Sequence, residues 1–392
     1  MLSMSIFSRR SFLFSASAAA LAVSAQSSFA ARHARALATP APGNPKRKRV
    51  YVGSYTPDGL LAYHWDPVAA SLTPAGVAAH IPNVTWIAAT ASGEYLYTAS
   101  ELSEFNGEPT GEVASFRQLH GELTPVSTAN SAGTGTCQVA LDRTGRVLIA
   151  ADYAGGSAAS FLIKNGALGE AVWTEHYTEH GPNKDRQEAA HAHFASFSPD
   201  NRFAYINDLG GDSIHIYKLN PATAQLTPAG LYRGAAGVGP RTLHFHPNDR
   251  TTYCVNELVP SVDVLDWNRA DGSFSLRTQI PLLPEGNTTP ATGCDVALTR
   301  DGRFAYFAVR GQDFLYSFKI DPRSGDLAPL RRSPCGGKTP RHITLDPTER
   351  WMLVANQGSS LISVFARNPE TGALADEAKN FDVPTPMRIL FT

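Results

Sequence analysis

The sequence predicts an all-β fold: a seven-bladed β-propeller closed by pairing of its N- and C-terminal strands. Three observations predict it. An apolar strand, a turn rich in Pro, Asp, Asn and Gly, and a second apolar strand recur seven times along the chain, at a spacing of roughly 50 residues that suits one four-stranded blade. No long stretch carries the apolar period of a helix. The first repeat has a second strand without a first, and the last segment of the chain is a first strand without a second.

Residues 1–30 read as an export signal. Ser8-Arg9-Arg10-Ser11-Phe12-Leu13 precedes an alanine-rich apolar stretch to about Val23, and Ser28-Phe29-Ala30 offers small residues where a signal peptidase reads. The twin arginine before Phe-Leu resembles a Tat leader; a plain Sec leader is the competing reading. The apolar run is too short and too serine-rich for a membrane span. Passage through the Tat machinery to the periplasm or beyond is expected, with no membrane attachment after cleavage. Residues 31–49 read as a linker. Thr39-Pro40-Ala41-Pro42-Gly43-Asn44-Pro45 cannot form a regular element, and Lys46-Arg47-Lys48-Arg49 reads as a solvated basic run.

The propeller is expected over 50–392. Its second strands are Val50-Tyr51-Val52, Tyr95-Leu96-Tyr97, Val147-Leu148-Ile149, Phe203-Ala204-Tyr205-Ile206, Thr252-Tyr253-Cys254-Val255, Phe304-Ala305-Tyr306-Phe307 and Trp351-Met352-Leu353-Val354. The turns before them, such as Pro199-Asp200-Asn201 and Arg300-Asp301-Gly302, hold residues that tolerate special backbone angles. Third strands such as Ser213–Tyr217 and Ser261–Leu265 follow, then Gly-x-Leu signals such as Gly325-Asp326-Leu327. The fourth strand is weak. Stacking blades in a ring buries both faces of each sheet and leaves short edges. Pro384 to Phe391 is expected to pair with Val50-Tyr51-Val52 and lock the circle.

Composition narrows the function. With 392 residues, 43% hydrophobic content and a net charge of −1, the chain can bury a large core but has no domain-wide basic field to hold nucleic acid. Cys137, Cys254, Cys294 and Cys335 show neither C-x-x-C nor zinc spacing. They read as small, partly buried side chains, a disulfide after export staying open. There is no Gly-x-Ser-x-Gly elbow and no calcium loop. No cofactor and no metal is expected, although Glu257, Asp208 and Asp152 carry the chemistry to coordinate a hard cation. A monomer is expected.

The residue just past each second strand is Ser54, Glu101, Asp152, Asp208, Glu257, Arg310 or Gln357. The repeat places all seven at one end of the central channel. The starts of first strands add His191, His193, Arg241, Arg341, His342 and Arg388. Propeller channels tolerate polar lining, so each residue alone says little. Carboxylates, arginines and histidines converging from distant segments are what a site on a radial scaffold looks like.

At these residues the chain resembles the lactonase family of seven-bladed propellers, which includes bacterial 6-phosphogluconolactonase, and the fungal carboxy-muconate lactonizing enzymes of the same fold. The resemblance spans nearly all of the mature chain. It is carried by Tyr51-Val52-Gly53-Ser54-Tyr55-Thr56, by Arg186-Gln187-Glu188-Ala189-Ala190-His191-Ala192-His193, and by Pro199-Asp200 through Asp208-Leu209-Gly210-Gly211-Asp212. Gly239-Pro240-Arg241, Phe245-His246-Pro247-Asn248, Asn256-Glu257-Leu258, Pro340-Arg341-His342 and Asn356-Gln357 complete it. The resemblance implies chemistry for His193, Arg241, Glu257 and Arg310, and substrate contacts for His191, Asp208, Asn256, Arg341 and Gln357. Two positions depart from the family pattern: Thr242 stands where the family has His, and Val309 where it has Asn.

The activity so implied is opening of a sugar lactone, either a 6-phospholactone or, given export, a free aldonolactone. Water attack needs a base and a cation for the carbonyl oxygen. Glu257 is the expected base with His193 as partner, the reverse staying open, while Arg241 and Arg310 hold the oxyanion or an anionic substrate group. A non-catalytic ligand- or protein-binding propeller and a lactonizing cycloisomerase are the alternatives. The long connection Glu175 to Ala190 is expected to be a lid or specificity loop over the mouth, or a plain exposed insertion.

Overall fold

Each second strand alternates its apolar residues between two faces, and both faces are buried. In the computed structural model, which describes residues 48–392, Val50 and Val52 pack toward one neighbouring sheet while Tyr51 packs toward the other. A strand buried on both faces needs a sheet on each side, and the chain supplies one by repetition.

Blade 1 contains β1 (Lys48–Ser54), β2 (Leu60–Asp66) and β3 (Ser71–Ala79). Blade 2 is β4 (Val84–Ala89), β5 (Tyr95–Ser100), β6 (Glu112–Leu119) and β7 (Glu122–Asn130). Blade 3 is β8 (Thr136–Leu141), β9 (Val147–Asp152), β10 (Ser157–Lys164) and β11 (Ala167–His176). Blade 4 is β12 (Ala192–Phe197), β13 (Phe203–Asp208), β14 (Ser213–Leu219) and β15 (Leu226–Arg233). Blade 5 is β16 (Pro240–Phe245), β17 (Thr251–Asn256), β18 (Ser261–Trp267) and β19 (Phe274–Pro281). Blade 6 is β20 (Thr292–Leu298), β21 (Phe304–Arg310), β22 (Phe314–Ile320) and β23 (Leu327–Pro334). Blade 7 is β24 (Pro340–Leu345), β25 (Trp351–Asn356), β26 (Leu361–Arg367) and β27 (Leu374–Asp382). The last strand, β28 (Pro386–Phe391), returns to blade 1, whose order is β28-β1-β2-β3.

The seven-bladed all-β fold is therefore as the repeat implies. The closure is antiparallel, with Val50 opposite Phe391, Tyr51 opposite Leu390 and Val52 opposite Ile389. Ser54 Oγ adds a hydrogen bond to the Pro384 carbonyl at 2.6 Å. The core lies between the blades. Seven apolar clusters fill the seven blade junctions, and the cluster joining Leu353 and Ile362 of blade 7 to Val50 and Trp65 of blade 1 completes the circle.

A second device joins neighbouring blades. Tyr51, Tyr97, Tyr205, Tyr253 and Tyr306 on second strands each donate their hydroxyl to a glycine carbonyl in the outer turn of the next blade: Gly121, Gly166, Gly272, Gly325 and Gly372. These glycines have positive φ, and a Cβ on Gly272 would stand 2.6 Å from the Phe203 ring. The Gly-x-Leu signals thus mark both a turn and an inter-blade acceptor.

The first strand starts two residues early: Lys48 and Arg49, assigned to the linker, pair with Trp65 and His64. Every blade has a fourth strand. These were faint in the sequence because they are outer edges with mostly exposed residues, as in β7 and β11. The export signal and the rest of the linker lie outside the described residues. Among the described residues, no helix is long and apolar enough to cross a membrane. The four cysteines are buried and unpaired.

Candidate functional site

In an antiparallel pair, the start of a first strand lies beside the end of the second. Ala192 therefore faces Asp208, Pro240 faces Asn256 and Pro340 faces Asn356. This register brings the polar strand ends to one mouth of the channel. The opposite mouth is ringed by the turns between first and second strands.

Glu257 is the centre of the first mouth. Its backbone is clamped: its N–H donates to the Gly239 carbonyl at 2.7 Å, and its carbonyl accepts the Gly293 N–H at 2.9 Å. Gly239 has φ +65°, and a Cβ there would meet Leu258 at 2.8 Å, so the turn that launches Arg241 requires glycine. Three arginines converge on the Glu257 carboxylate. Arg241 Nε and Arg310 Nη2 reach Oε2 at 2.7 and 2.8 Å, and Arg186 Nη2 reaches Oε1 at 2.6 Å. Arg241 Nη1 also donates to the Cys294 carbonyl at 2.5 Å.

Burial alone would raise the Glu257 carboxyl, but Arg310, Arg241, His193 and Arg186 outweigh it and hold the carboxyl well below the usual range. His193 is pushed the other way. Burial, then Arg241, keep its imidazole well below the ordinary histidine range, so it is neutral at pH 7. Its Nδ1 is buried without a hydrogen-bond partner. His193, Arg241 and Arg341 line one small cavity with Thr85, Gln138 and Met387. Arg341 is lowered by burial and by its neighbours Arg241 and Arg310, while Glu101 partly offsets them. The buried Nε of Arg310 also lacks a partner.

The structure thus brings His193, Arg241, Glu257, Arg310 and Arg341 together. His191 lies at the edge of the group. Its ring stacks on Tyr153 at 4.4 Å, and Nδ1 is 2.9 Å from the Tyr153 carbonyl. Other expected residues are directed elsewhere. Asn256 donates to Ser261 and Asp263 inside blade 5. Asp208 accepts the His191 N–H at 2.7 Å and faces His215 rather than Glu257. Asp152 is enclosed by Thr136 and Ser157, and Ser54 is tied to Pro384. Gln357 opens a short 3-10 turn, its N–H donating to the Thr339 carbonyl at 3.0 Å. The ring of seven splits because side chains at equivalent places rotate toward whichever local donor is nearest.

His342 and Arg388 do not join this mouth. They pair with each other, His342 Nε2 lies 3.7 Å from Asp295 Oδ2, and Arg388 lies 3.9 Å above the Trp86 ring. With His244 they form a second polar layer, and Trp86, His244 and Arg388 border the cleft of the turn-ringed mouth alongside Arg143 and Pro247. A bulge between Pro340 and His342 shifts the register there.

Two residues of the site are absent from the sequence-based set. Tyr153 packs against both His191 and His193 and accepts from Arg186 at 3.1 Å. Its position directly after Asp152 was the available signal. Arg186 sits in the long connection, which begins after His176 because Glu175 and His176 belong to β11. Gln187 pins this segment by donating to the Leu209 carbonyl and to Asp212.

The family described as "Lactonase, 7-bladed beta-propeller" matches residues 49–391. The chain is 31% identical to the 6-phosphogluconolactonase of Bacillus subtilis over 347 residues, 87% of this chain and 97% of the relative. It is 27% identical to the 6-phosphogluconolactonase of Formosa agariphila, covering 83% of this chain and 94% of that one. The solved periplasmic gluconolactonase of Pseudomonas aeruginosa superposes with a TM-score of 0.83 at 28% identity, over 88% of this chain and 99% of that one.

Proposed function

We propose that this chain, which belongs to the seven-bladed β-propeller lactonase family, hydrolyses a sugar-type lactone at the Glu257 mouth. One observation carries the reading. Buried Arg241 and half-buried Arg310 and Arg341, joined by Arg186, face fewer carboxylates than they need for neutrality, Glu257 and Glu101 being the nearest. Such a site favours a group that becomes negative during reaction.

In this reading Arg310 and Arg341 receive the lactone carbonyl oxygen, and its charge grows as water attacks the carbonyl carbon. His193, neutral and unpartnered at Nδ1, takes the water's proton. Collapse of the tetrahedral oxyanion breaks the ring C–O bond, and the protonated His193 returns the proton to the leaving alkoxide. Glu257 is a poor base because guanidiniums already occupy both its oxygens. It serves better as the anchor that fixes the arginines in position. The roles of base and partner are thus the reverse of those the sequence favoured.

The relatives named above include both a 6-phosphogluconolactonase and a periplasmic gluconolactonase. The twin-arginine leader and the scarcity of phosphorylated sugars outside the cytoplasm favour a periplasmic enzyme acting on the free aldonolactone. Acid release from gluconolactone and from its 6-phosphate, each above the spontaneous rate, tests this. Faster hydrolysis of the free lactone is expected. Preference for the phosphate would overturn the substrate assignment, and acceleration of neither would overturn the activity.

A further inference from the structure

We infer that Glu179, Asp208 and His215 bind one divalent cation of the zinc class, at a site separate from the Glu257 cluster and independent of the lactone chemistry. One ligand atom from each residue lies within 4.8 Å of the others. His215 Nε2 is 3.9 Å from Asp208 Oδ2. A four-coordinate zinc with bonds of about 2.0–2.2 Å needs only a small contraction of this set.

Asp208 supplies the independent observation. Its side chain is fully buried, and Oδ1 accepts the His191 N–H. Oδ2 points into the cluster with no hydrogen-bond partner. An orphaned carboxylate oxygen away from water is costly unless a cation meets it. Gly211 keeps the space open: a Cβ there would stand 2.5 Å from Asp208 Oδ2 and 2.8 Å from Glu179 Cβ.

The surroundings resemble the outer support of a metal site. Arg233 forks onto Glu179 at 2.8 and 3.3 Å, and Ser213 Oγ reaches Glu179 Oε2 at 3.1 Å. The His215 ring stacks on Tyr177 at 4.1 Å, which fixes its plane. Two carboxylates and one imidazole suit zinc or cobalt better than calcium, which takes six or more oxygens. A surface cleft edged by His176, Thr178, Glu179, His215 and Tyr217 gives the ion a path in. A bound ion would tie Glu179, on the long connection, to β13 and β14, and so steady the segment that carries Arg186.

The test is titration of the chelator-treated full chain with Zn²⁺ by calorimetry and with Co²⁺ by visible absorption. One ion per chain is expected, with a rise in melting temperature. His215→Gln and Glu179→Gln, both at the partly exposed edge, are expected to weaken affinity about tenfold or more, and Glu257→Gln to leave it intact. No saturable binding, or binding unchanged in both edge variants, would overturn the site.

Discussion

Arg186 Nη2 lies 2.6 Å from Glu257 Oε1, although Arg186 comes from a surface connection and Glu257 from the end of a buried strand. The pair joins the one long inter-blade segment to the centre of the channel mouth. The Arg186 side chain is 39% exposed, against 3% for Glu257. Arg186 therefore contributes little to stability but adds a cation at the entrance. Arg186→Ala leaves Glu257 paired with Arg241 and Arg310, so the melting temperature is expected to fall by only a few degrees, about 1 kcal/mol. It is expected to raise KM for a sugar lactone about tenfold while changing kcat less. Steady-state kinetics on the variant check this, and an unchanged KM would remove Arg186 from the site.

Glu257→Gln has the opposite profile. It removes the one charge that Arg241 and Arg310 share, leaving buried Arg241 and half-buried Arg310 in mutual repulsion. Breaking a buried pair this way costs about 3–5 kcal/mol. Urea unfolding is expected to show that loss together with loss of activity. Wild-type stability would mean that the arginines do not depend on Glu257.

With His193 as the proposed base, its imidazole is expected to set the acid limb of the activity profile. Burial and Arg241 hold its imidazole well below the ordinary value of 6.5, so the active, unprotonated form persists as pH falls through that value. The pH dependence of kcat/KM is expected to stay flat from pH 8 down past 6.5. An acid limb centred at or above 6.5 would exclude His193 as the base.

Much of this was legible in the sequence, for a physical reason. Second strands are buried on both faces and punctuated by turns with special backbone angles, so the repeat and its closure stand out. Glu257, Arg241 and His193 could be located because the repeat sets their height in the channel. What the repeat cannot set is rotation about side-chain bonds. Asn256 and Asp208 occupy the same height as their neighbours, yet Ser261, Asp263 and the His191 amide draw them aside. Arg186 was hidden for another reason: it lies in a connection whose path over the mouth is fixed by Gln187 hydrogen bonds to Leu209 and Asp212, contacts that no periodicity encodes.

Asp152 makes stability depend on pH. Burial raises its carboxyl from 3.8 to about 7, against hydrogen bonds from Thr136, Ser131 and Ser157 that lower it. A carboxyl raised on folding binds more protons in the native than in the unfolded state. The contribution of Asp152 to stability is therefore fully present below the unfolded value of 3.8 and is lost as pH rises toward about 7, by up to about 1.4 kcal/mol per unit. Asp152→Asn is expected to flatten this decline, read as melting temperature between pH 4 and 8. An identical slope in wild type and variant would show that another group governs it.

The most direct test of the whole account is kcat/KM for gluconolactone hydrolysis by the wild-type chain and by Arg310→Ala and His193→Ala, with folding verified by thermal melts. Lost oxyanion contacts or a lost general base each typically cost about a hundredfold or more, and both folded variants are predicted to fall by that much. Hydrolysis at the wild-type rate in both would contradict catalysis at the Glu257 mouth.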